Sequence, residues 1–542
     1  MEIQSPRKHH YGLIRSSFRL DGQVHHTNHG RISGLPLAKL QLVQAAFRGD
    51  VVPLDSPDAF QILASRAYGA SHALLQLARE LELHQLLYSR KEPWVGAALA
   101  MIIGRVVHAG SKLAGVAGKI DVDQHCYEVM DRLLERQPAI QRALAKKHLQ
   151  NGQLVLYDIT SRYFEGEYAA SEIAAFGYNR DGKRGHEQMV LGLICNEAGC
   201  PVGVEVFPGN PQDASTVPAK IAQIQQEYGL SELIFVGDCG MITQANSDQL
   251  KGVGGLQTIS ALTHRQIVQL LERKVITLEL FDERAITEAL DPEASGKRYC
   301  LCRNPETAKR ETQTRQHLLE LTRQHLEAIA QGCQQKAPGG SPDKKIGTRP
   351  RLAAKAPAAE KIGARVGRVL QRYKMGKFVV WSVAAGKLEW RFDQEKIQRE
   401  QRFDGCYVIV ADVPPEKMAT AQVVASHKKL SLVEQAFRNL KTVRLEVRPV
   451  FHKKDARMRA HVFLCLLAYY VQWQAQQRLQ PLLAGDGAGK KRQRTFENVI
   501  AHLTTIRSNR VKTNGAEFQL RTHAESDQQK ILTLLSEKQP EP

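Results

Sequence analysis

The sequence predicts a mixed α/β protein in which helices flank a central sheet. Two observations support this fold class. Short apolar segments with strand character lie between residues 154 and 261, and leucines with helical spacing precede them. Hydrophobic residues make up 43% of the 542 residues, which is typical of a globular chain. A chain of this length can form several domains with buried cores.

The N-terminal part of the chain is predicted to be mainly helical after an initial hairpin. Polar alternation around Asp21-Gly22 indicates a tight turn between two strands. Leucines recur with helical spacing from residue 65 to about residue 147. We therefore expect two N-terminal regions, 1–70 and 71–150, of which the second is helical.

Strand and helix signals alternate in residues 151–262. The predicted strands are Leu154–Tyr157, Gln188–Cys195, Pro201–Phe207, Leu233–Val236 and Gln257–Ala261. Helices are predicted at 218–228 and 242–250, between the last three strands. The order β-β-β-α-β-α-β describes a mixed sheet, and it is also the order of the first part of an RNase H-like fold.

A long segment, residues 263–425, interrupts this alternation. It contains a helical stretch around 314–329 and an Ala-, Pro-, Gly- and Lys-rich segment, 336–364, that predicts a flexible basic linker. Its strand-like runs are Phe378–Val383, Leu388–Phe392 and Cys406–Ala411. Helical periodicity returns at 432–441 and 460–472. We expect 426–475 to complete the core, and 476–542 to form a C-terminal region.

Positive charge is concentrated in two segments. The chain has a formal charge of +19 at pH 7. Residues 331–380 contain 12 Lys and Arg against 2 acidic residues, and residues 426–460 contain 10 against 3. Such concentration favours a polyanionic partner, and nucleic acid is the most common one.

Several classes of site and location are disfavoured. The nine cysteines include no CxxC pair, so a structural zinc site is not expected. Their odd number and the lack of a secretory signal suit a reducing cytosol. The longest apolar runs are too short to span a bilayer. Histidines near the N-terminus lack metal-ligand spacing, and no glycine-rich loop is followed by Lys-Ser/Thr as an ATP site requires.

Two aspartates follow predicted strands. Asp158 follows the first strand, and Asp238 follows the fourth. If these strands are neighbours, both carboxylates reach one edge of the sheet, as phosphoryl transfer with two metal ions requires. The alternative, which is the more common one for either residue alone, is an aspartate that caps a loop.

A glutamate on a predicted helix is the third candidate. In the helix over 432–441 one stripe is apolar, with the spacing i, i+4, i+7: Val433, Phe437 and Leu440. Glu434, Arg438 and Lys441 form a second stripe, rotated by one residue. This stripe is either a solvated face with an ordinary Glu–Arg pair, or a metal-binding carboxylate beside two phosphate-binding cations.

Several segments occur together in an informative order. They are Tyr157-Asp158-Ile159-Thr160-Ser161, Tyr163-Phe164-Glu165-Gly166, the run 176–185 with Gln188, Phe207-Pro208-Gly209-Asn210 with Asp213, Val236-Gly237-Asp238 with Gly240-Met241, Phe403-Asp404-Gly405, and Val433-Glu434 with Phe437-Arg438 and Leu440-Lys441. The chain resembles DDE transposases of bacterial insertion sequences. It is similar to the class with a Y-x2-R-x3-E-x6-K signature and an RNase H-like core that is interrupted by a β-rich insertion.

The resemblance implies roles for matching residues. Asp158, Asp238 and Glu434 would be catalytic ligands of two Mg²⁺ or Mn²⁺ ions, and Lys441 would contact phosphate near the transposon end. The signature is not complete, because His427 stands where tyrosine is usual and Leu430 stands at the arginine.

Other DNA contacts are expected at residues outside the signature. Lys428 or Lys429 could take the place of the missing arginine, and Arg438 lies beside Glu434. Trp381 and Trp390, in the predicted insertion, either stack on an unpaired base or are ordinary strand-core residues.

The resemblance also implies an activity and partners. We expect metal-dependent cleavage at the ends of a transposon and 3′-hydroxyl strand transfer into target DNA, without a covalent protein–DNA intermediate. Residues 1–70 would bind the terminal inverted repeats, and a homodimer would hold two ends in the nucleoid of the cytoplasm. The alternatives are a nuclease of the same fold without strand transfer, and a non-catalytic DNA-binding relic.

Overall fold

The computed structural model describes most of the chain. The described residues are 1–4, 10–48, 60–108, 126–177, 185–210, 225–238, 254–281, 286–293, 296–334, 359–442, 452–483, 494–513 and 516–536. The predicted helix at 242–250 and most of the one at 218–228 lie outside these ranges. The chain divides into two compact units, residues 75–478 and residues 1–74 with 479–542.

The strands are β1 (Glu2–Gln4), β2 (Tyr11–Leu20), β3 (Gln23–Ser33), β4 (Phe60–Ala67), β5 (Leu154–Tyr163), β6 (Gln188–Asn196), β7 (Pro201–Pro208), β8 (Leu233–Gly237), β9 (Leu256–Ala261), β10 (Thr287–Leu290), β11 (Arg298–Arg303), β12 (Val379–Ala384), β13 (Lys387–Phe392), β14 (Cys406–Ala411), β15 (Arg507–Thr513) and β16 (Ala516–Arg521).

The α-helices are α1 (Leu37–Arg48), α2 (Gly69–Glu80), α3 (Leu83–Leu87), α4 (Pro93–Val107), α5 (Tyr127–His148), α6 (His264–Glu272), α7 (Pro305–Gln334), α8 (Ala359–Tyr373), α9 (Gln394–Gln401), α10 (Thr420–Lys428), α11 (Leu430–Thr442), α12 (Asp455–Arg478), α13 (Gln480–Leu483), α14 (Phe496–Thr504) and α15 (Ser526–Ser536).

The centre of the larger unit is a mixed sheet with the topology of an RNase H-like fold. Five of its strands follow the order β7-β6-β5-β8-β9. β5, β6 and β7 pair antiparallel, whereas β8 and β9 run parallel to β5. The first three strands in sequence thus form a meander, and the next two extend it on the side of β5. The predicted fold class is confirmed.

The sheet does not stop at residue 262, where the prediction ended the first part of the core. β14, β11 and β10 extend it antiparallel beyond β9, to a total of eight strands. Asp412 strengthens this junction, since its carboxylate accepts hydrogen bonds from the Thr258 N–H (2.5 Å) and hydroxyl (2.9 Å). The predicted insertion therefore contributes three strands to the central sheet.

A separate hydrophobic cluster forms within the predicted insertion. The hairpin β12–β13 packs on α7 and α8, around buried Leu326, Ile362 and Val366. The predicted flexible linker, 336–364, is wrong at its C-terminal end, because α8 begins at Ala359 and buries an apolar stripe. Residues 335–358 lie outside the described residues.

α12 is a core helix buried on all sides. It packs against α4, α5 and β7, and Phe463, Leu466 and Tyr470 have no solvent exposure. A helix that is apolar around its whole circumference belongs in a protein core or a membrane. In the part of the chain that the structure describes, no helix is both long enough and apolar enough for a transmembrane span.

The smaller unit contains two three-stranded sheets, β1-β2-β3 and β16-β15-β4. The predicted hairpin turn at Asp21-Gly22 is confirmed: both residues have positive φ, 49° and 78°, as a two-residue type I′ turn requires. The helical region begins at Gly69 rather than Ser65, because β4 continues to Ala67.

The packing of His148 on α12 predicts a pH dependence of stability. Its Nε2 lies 3.0 Å from the Tyr470 hydroxyl, and burial, helped by the charge of Lys147, lowers the pKa of His148 to about 4. The unfolded chain therefore binds a proton near pH 6.5 that the folded chain does not. We expect the free energy of unfolding to fall by about 3 kcal/mol at most between pH 6.5 and pH 4 from this group, and to gain nothing further above pH 6.5.

Urea denaturation of wild type and His148→Gln at pH 7.5, 6 and 5 measures this effect. The stability difference between the two proteins should change with pH in favour of the variant at pH 5. His317→Gln, at an exposed histidine, is the matched control and should keep the wild-type pH dependence. Parallel pH profiles for wild type and His148→Gln would contradict the prediction.

Candidate active site

Asp158 and Asp238 occupy matching positions on two adjacent parallel strands. The last residues of β5 and β8 that pair in register are Tyr157 and Gly237, and the two aspartates follow them directly. Because paired strands lie about 4.8 Å apart, the backbones at the two positions are close. The condition set by the sequence analysis, that these two strands are neighbours, is therefore met.

Asp158 lies inside its strand, although the sequence predicted that the strand ends there. β5 continues to Tyr163 because it stays paired with β6, up to Tyr163 with Gln188. What ends before Asp158 is the pairing of β5 with β8. The carboxylate thus projects from a strand that is paired on one side, next to the point where the pairing with β8 ends.

The surroundings of the two carboxylates differ. Asp158 is half-buried, and its Oδ1 accepts a hydrogen bond from the N–H of Ile159 at 2.7 Å. The thiol of Cys195 on β6 is fully buried, which raises its pKa, and the negative charge of Asp158 raises it further. Asp238 is exposed. The Asp158 carboxylate is therefore on a firmly paired strand and partly shielded from water, whereas the Asp238 carboxylate is open to solvent.

Glu434 lies on the exposed side of α11. The predicted apolar stripe is confirmed, since its three members are almost fully buried: Val433, Phe437 and Leu440. α11 packs on β5 and β6, and one of these strands carries Asp158. Glu434 and Arg438, one turn later, are both exposed, so these two members of the second stripe face away from the core.

The remaining signature positions have mixed environments. Leu430, which the resemblance placed at the arginine of the signature, is only 7% exposed, so this side chain makes apolar contacts. Lys429 binds Glu197 at 3.3 Å, whereas Lys428 is exposed. Lys441 lies within α11, but its side chain is outside the described part of the structure.

His427 is a neighbour of Asp238 that the sequence prediction did not place in the site. It lies on α10, which packs on β8 and β9. Burial lowers the pKa of His427, and the negative charge of Asp238 opposes this shift, which places the ring within electrostatic reach of that carboxylate. The available signal was its position in the signature, where tyrosine is usual.

The structure brings the two aspartates together but does not complete a three-ligand metal site. Among the described residues, no group of three or more His, Cys, Asp or Glu side chains could hold a metal ion. The donors nevertheless suit a hard divalent cation, because carboxylate oxygens are the preferred ligands of Mg²⁺ and Mn²⁺. Two of them are provided by adjacent strands, and the third by a helix on the same sheet.

Comparison with known proteins identifies the family. The family model of the transposase DDE domain matches residues 151–471. The chain belongs to this family. No curated protein matches. Among solved structures, the chain is similar to the piggyBac transposase in a cryo-EM structure of its synaptic complex with hairpin DNA. The two are 6% identical over 81% of this chain and 80% of that one, with a TM-score of 0.35.

The matched region contains the two tryptophans of the transposase for which the sequence left base stacking and strand-core packing as alternatives. Trp381 and Trp390 are directly paired across β12 and β13. Trp390 packs against the hydrophobic cluster and meets Phe392 edge to face, with ring centroids 5.3 Å apart. Trp381 covers Gly363 of α8 but remains 38% exposed. Trp390 thus has the environment of a core residue, and only Trp381 presents a substantial open surface.

Several cations of the basic segment 426–460 bind other groups of the transposase. Lys453 donates to the backbone oxygen of Glu167 at 2.7 Å and lies over the ring of Tyr168. Arg459 donates to the backbone oxygen of Val206 at 2.6 Å. These cations, like Lys429, hold loops and strands of the core together, which the charge count of the segment does not reveal.

Proposed function

We propose that this transposase cuts DNA at the ends of a mobile element and joins the freed 3′-hydroxyl to target DNA. The observation that carries the proposal is the position of Asp158 and Asp238, at matching places on two parallel strands of an RNase H-like sheet. Transposases of the DDE family generally use divalent metal ions, and the carboxylate donors here are suited to them.

Asp158, Asp238 and Glu434 would hold two Mg²⁺ or Mn²⁺ ions. When bound, such ions activate water for strand cleavage and the 3′-hydroxyl for strand transfer. Asp158 would be the rigid ligand, because β5 is paired with β6 on one side and its carboxylate is oriented by the Ile159 N–H. Glu434 would be provided by α11. Whether all three carboxylates can reach the same metal ions would therefore depend on how this helix packs on β5 and β6.

Cations near Glu434 would bind the phosphates of the DNA end. Arg438 is exposed one turn after Glu434, Lys441 follows on the same helical stripe, and Lys428 is exposed at the end of α10. Cations at such places fix the position of a DNA backbone without reading its sequence. Lys429 is a weaker candidate, because it already binds Glu197.

The N-terminal region, residues 1–70, would recognise the terminal inverted repeats. The β2–β3 hairpin is suited to this role, since its outer half is exposed and the major groove admits a two-stranded β-ribbon. Side-chain hydrogen bonds add to the backbone pairing of its strands, between Ser16 and His29 and between Ser17 and His26, each at 2.7 Å. A homodimer would hold two DNA ends together in the nucleoid of the cytoplasm.

Moving the carboxylate of Glu434 by one residue provides a charge-neutral test of the site. Gln435 is also exposed on α11, so Glu434→Gln/Gln435→Glu keeps the composition and rotates the carboxylate by about 100°. We expect Mg²⁺-dependent cleavage of a transposon-end duplex to fall more than about 100-fold, since even neighbours of metal ligands are worth 10–100-fold. Gln435→Glu alone is the control and should cleave normally.

Asp158→Asn supplies the second arm of the same assay. Loss of cleavage with unchanged DNA binding supports the metal-ligand role, and it excludes the non-catalytic relic for the wild-type protein. Full Mg²⁺-dependent cleavage by either Asp158→Asn or the double variant would contradict the assignment.

Strand transfer distinguishes a transposase from a nuclease of the same fold. We expect incubation of the protein with labelled donor ends, target plasmid and Mg²⁺ to give covalently joined products. Donor ends that lack the 3′-hydroxyl are the matched control and should give none, because that group is the nucleophile. Cleaved ends with no joined product would favour the nuclease.

Trp381 provides a test of base stacking. We expect Trp381→Ala to weaken binding of a DNA with unpaired bases at its end by about 5- to 150-fold, because stacking contributes about 1–3 kcal/mol per base. Binding of a fully paired duplex should not change. Trp390→Ala is the comparison, and it should lower the melting temperature because this ring packs in the cluster. Equal affinity of Trp381→Ala and wild type for the unpaired DNA would exclude stacking.

A further inference from the structure

The sheet β4–β15–β16 joins two distant parts of the sequence. β15 is its central strand and pairs antiparallel with β4 on one side and β16 on the other. The pairing places residues 61–67 of β4 beside residues 507–512 of β15, and these beside residues 517–521 of β16. The sequence alone could not show which of these residues share a surface.

The register divides the side chains between two faces. Side chains of directly paired residues lie on the same face, and the face alternates along each strand. One face contains three rows across β4, β15 and β16: Arg66–Ser508–Arg521, Ala64–Arg510–Gln519 and Gln61–Lys512–Glu517. The opposite face contains the apolar row Ile62–Val511–Phe518, together with Leu520. A bulge after Arg510 absorbs Leu63 and keeps the rows aligned.

The first of these faces, here called the cationic face, has an excess of positive charge. Its four cations are all exposed: Arg66, Arg510, Lys512 and Arg521. Its acidic residue is Glu517, 3.9 Å from Arg510, and both members of this pair are more than half exposed. The guanidinium of Arg521 lies 4.5 Å from the ring centre of Tyr68, which orients it. These side chains remain available to a ligand in solution.

Protection of sheet edges does not explain this arrangement. Charged residues on edge strands prevent a sheet from pairing with another chain. Arg510 and Lys512, however, lie on the central strand, whose backbone is already paired on both sides. Charges gathered at the middle of a face raise the electrostatic free energy of the folded protein unless a polyanion neutralises them.

We propose that the cationic face binds the phosphate backbone of duplex DNA without reading its sequence. Residues i and i+2 on a strand are about 6.6 Å apart, and adjacent strands about 4.8 Å. The four cations therefore cover a small patch. A duplex carries one charge per about 1.7 Å of its axis, so several phosphates can face this patch at once. The proposal rests on the proposed function only in taking DNA as the partner. It adds a surface built from β4 and the C-terminal strands.

The test is the salt dependence of DNA binding by the full-length protein. The probe is a fluorescent duplex of random sequence, and its dissociation constant is measured by anisotropy over a range of KCl concentrations. Arg66→Gln/Lys512→Gln/Arg521→Gln removes three cations and leaves the Arg510–Glu517 pair intact. The logarithm of the dissociation constant rises with log [KCl], and each lost phosphate contact lowers this slope by about 0.9. We therefore expect a decrease of up to about 2.7.

The matched control removes three exposed cations from outside both the cationic face and residues 1–70. Lys309→Gln/Arg507→Gln/Lys530→Gln has the same change in net charge, and its slope should stay close to that of wild type. Thermal melts check that both triple variants are folded. If the first variant unfolds, Lys512→Gln alone replaces it, with an expected change of about 0.9.

Each outcome decides one question. A decrease confined to the cationic-face variant supports the proposal. Equal slopes for the two variants, whether reduced or unchanged, overturn it and leave the proposed catalytic function untouched. If wild-type protein does not bind the random-sequence duplex, the surface proposal is wrong, whereas the proposed transposition activity, which is tested with transposon-end DNA, is not decided by this result. If Asp158→Asn keeps both cleavage and the wild-type slope, only the catalytic assignment fails.

Discussion

The parallel pairing of β5 with β8 is the constraint on which the rest of the core depends. It brings residues that are 80 positions apart in the sequence, 158 and 238, to matching places in the sheet. β5 is also the strand on which the two halves of the sheet meet, since β6 pairs with its other side. The apolar side chains of β5, β6 and β8 are almost entirely buried. Hydrophobic burial thus holds two acidic residues near each other against their mutual repulsion.

The junction of β9 with β14 extends this constraint into the predicted insertion. Asp412 binds the backbone and side chain of Thr258, and burial is the main reason why the pKa of Asp412 is raised. On the far side of β14, Arg298 pairs with Glu288 and also donates to the backbone oxygens of Val413 and Met418. A buried ion pair contributes little net stability, but here it ties β11 to the segment that leads into α10. Hydrogen bonds from β11 therefore connect the predicted insertion to the segment that precedes α10, the helix of His427.

Charge has two different uses in this protein. In the core, Lys429, Lys453 and Arg459 each bind an oxygen of the protein, so a dense basic segment becomes a set of internal contacts. In the smaller unit, cations that are scattered in the sequence gather on one face of the β4–β15–β16 sheet. The net charge of +19 does not distinguish these two uses. They differ only in the groups that each Lys or Arg side chain contacts.

Local sequence patterns were sufficient to predict the classes of element and much of their order. The strand and helix periods are local properties, so Gln188–Asn196, Cys406–Ala411 and the amphipathic helix of Glu434 were predictable. The family was also recognisable, because its motifs keep their order along the chain. The folded structure was needed to show which strands are neighbours, that β5 runs past Asp158, that the predicted insertion joins the central sheet, and that His427 lies within electrostatic reach of Asp238. These are contacts between residues distant in sequence, and local periodicity carries no information on the partner of a strand or on the register between them.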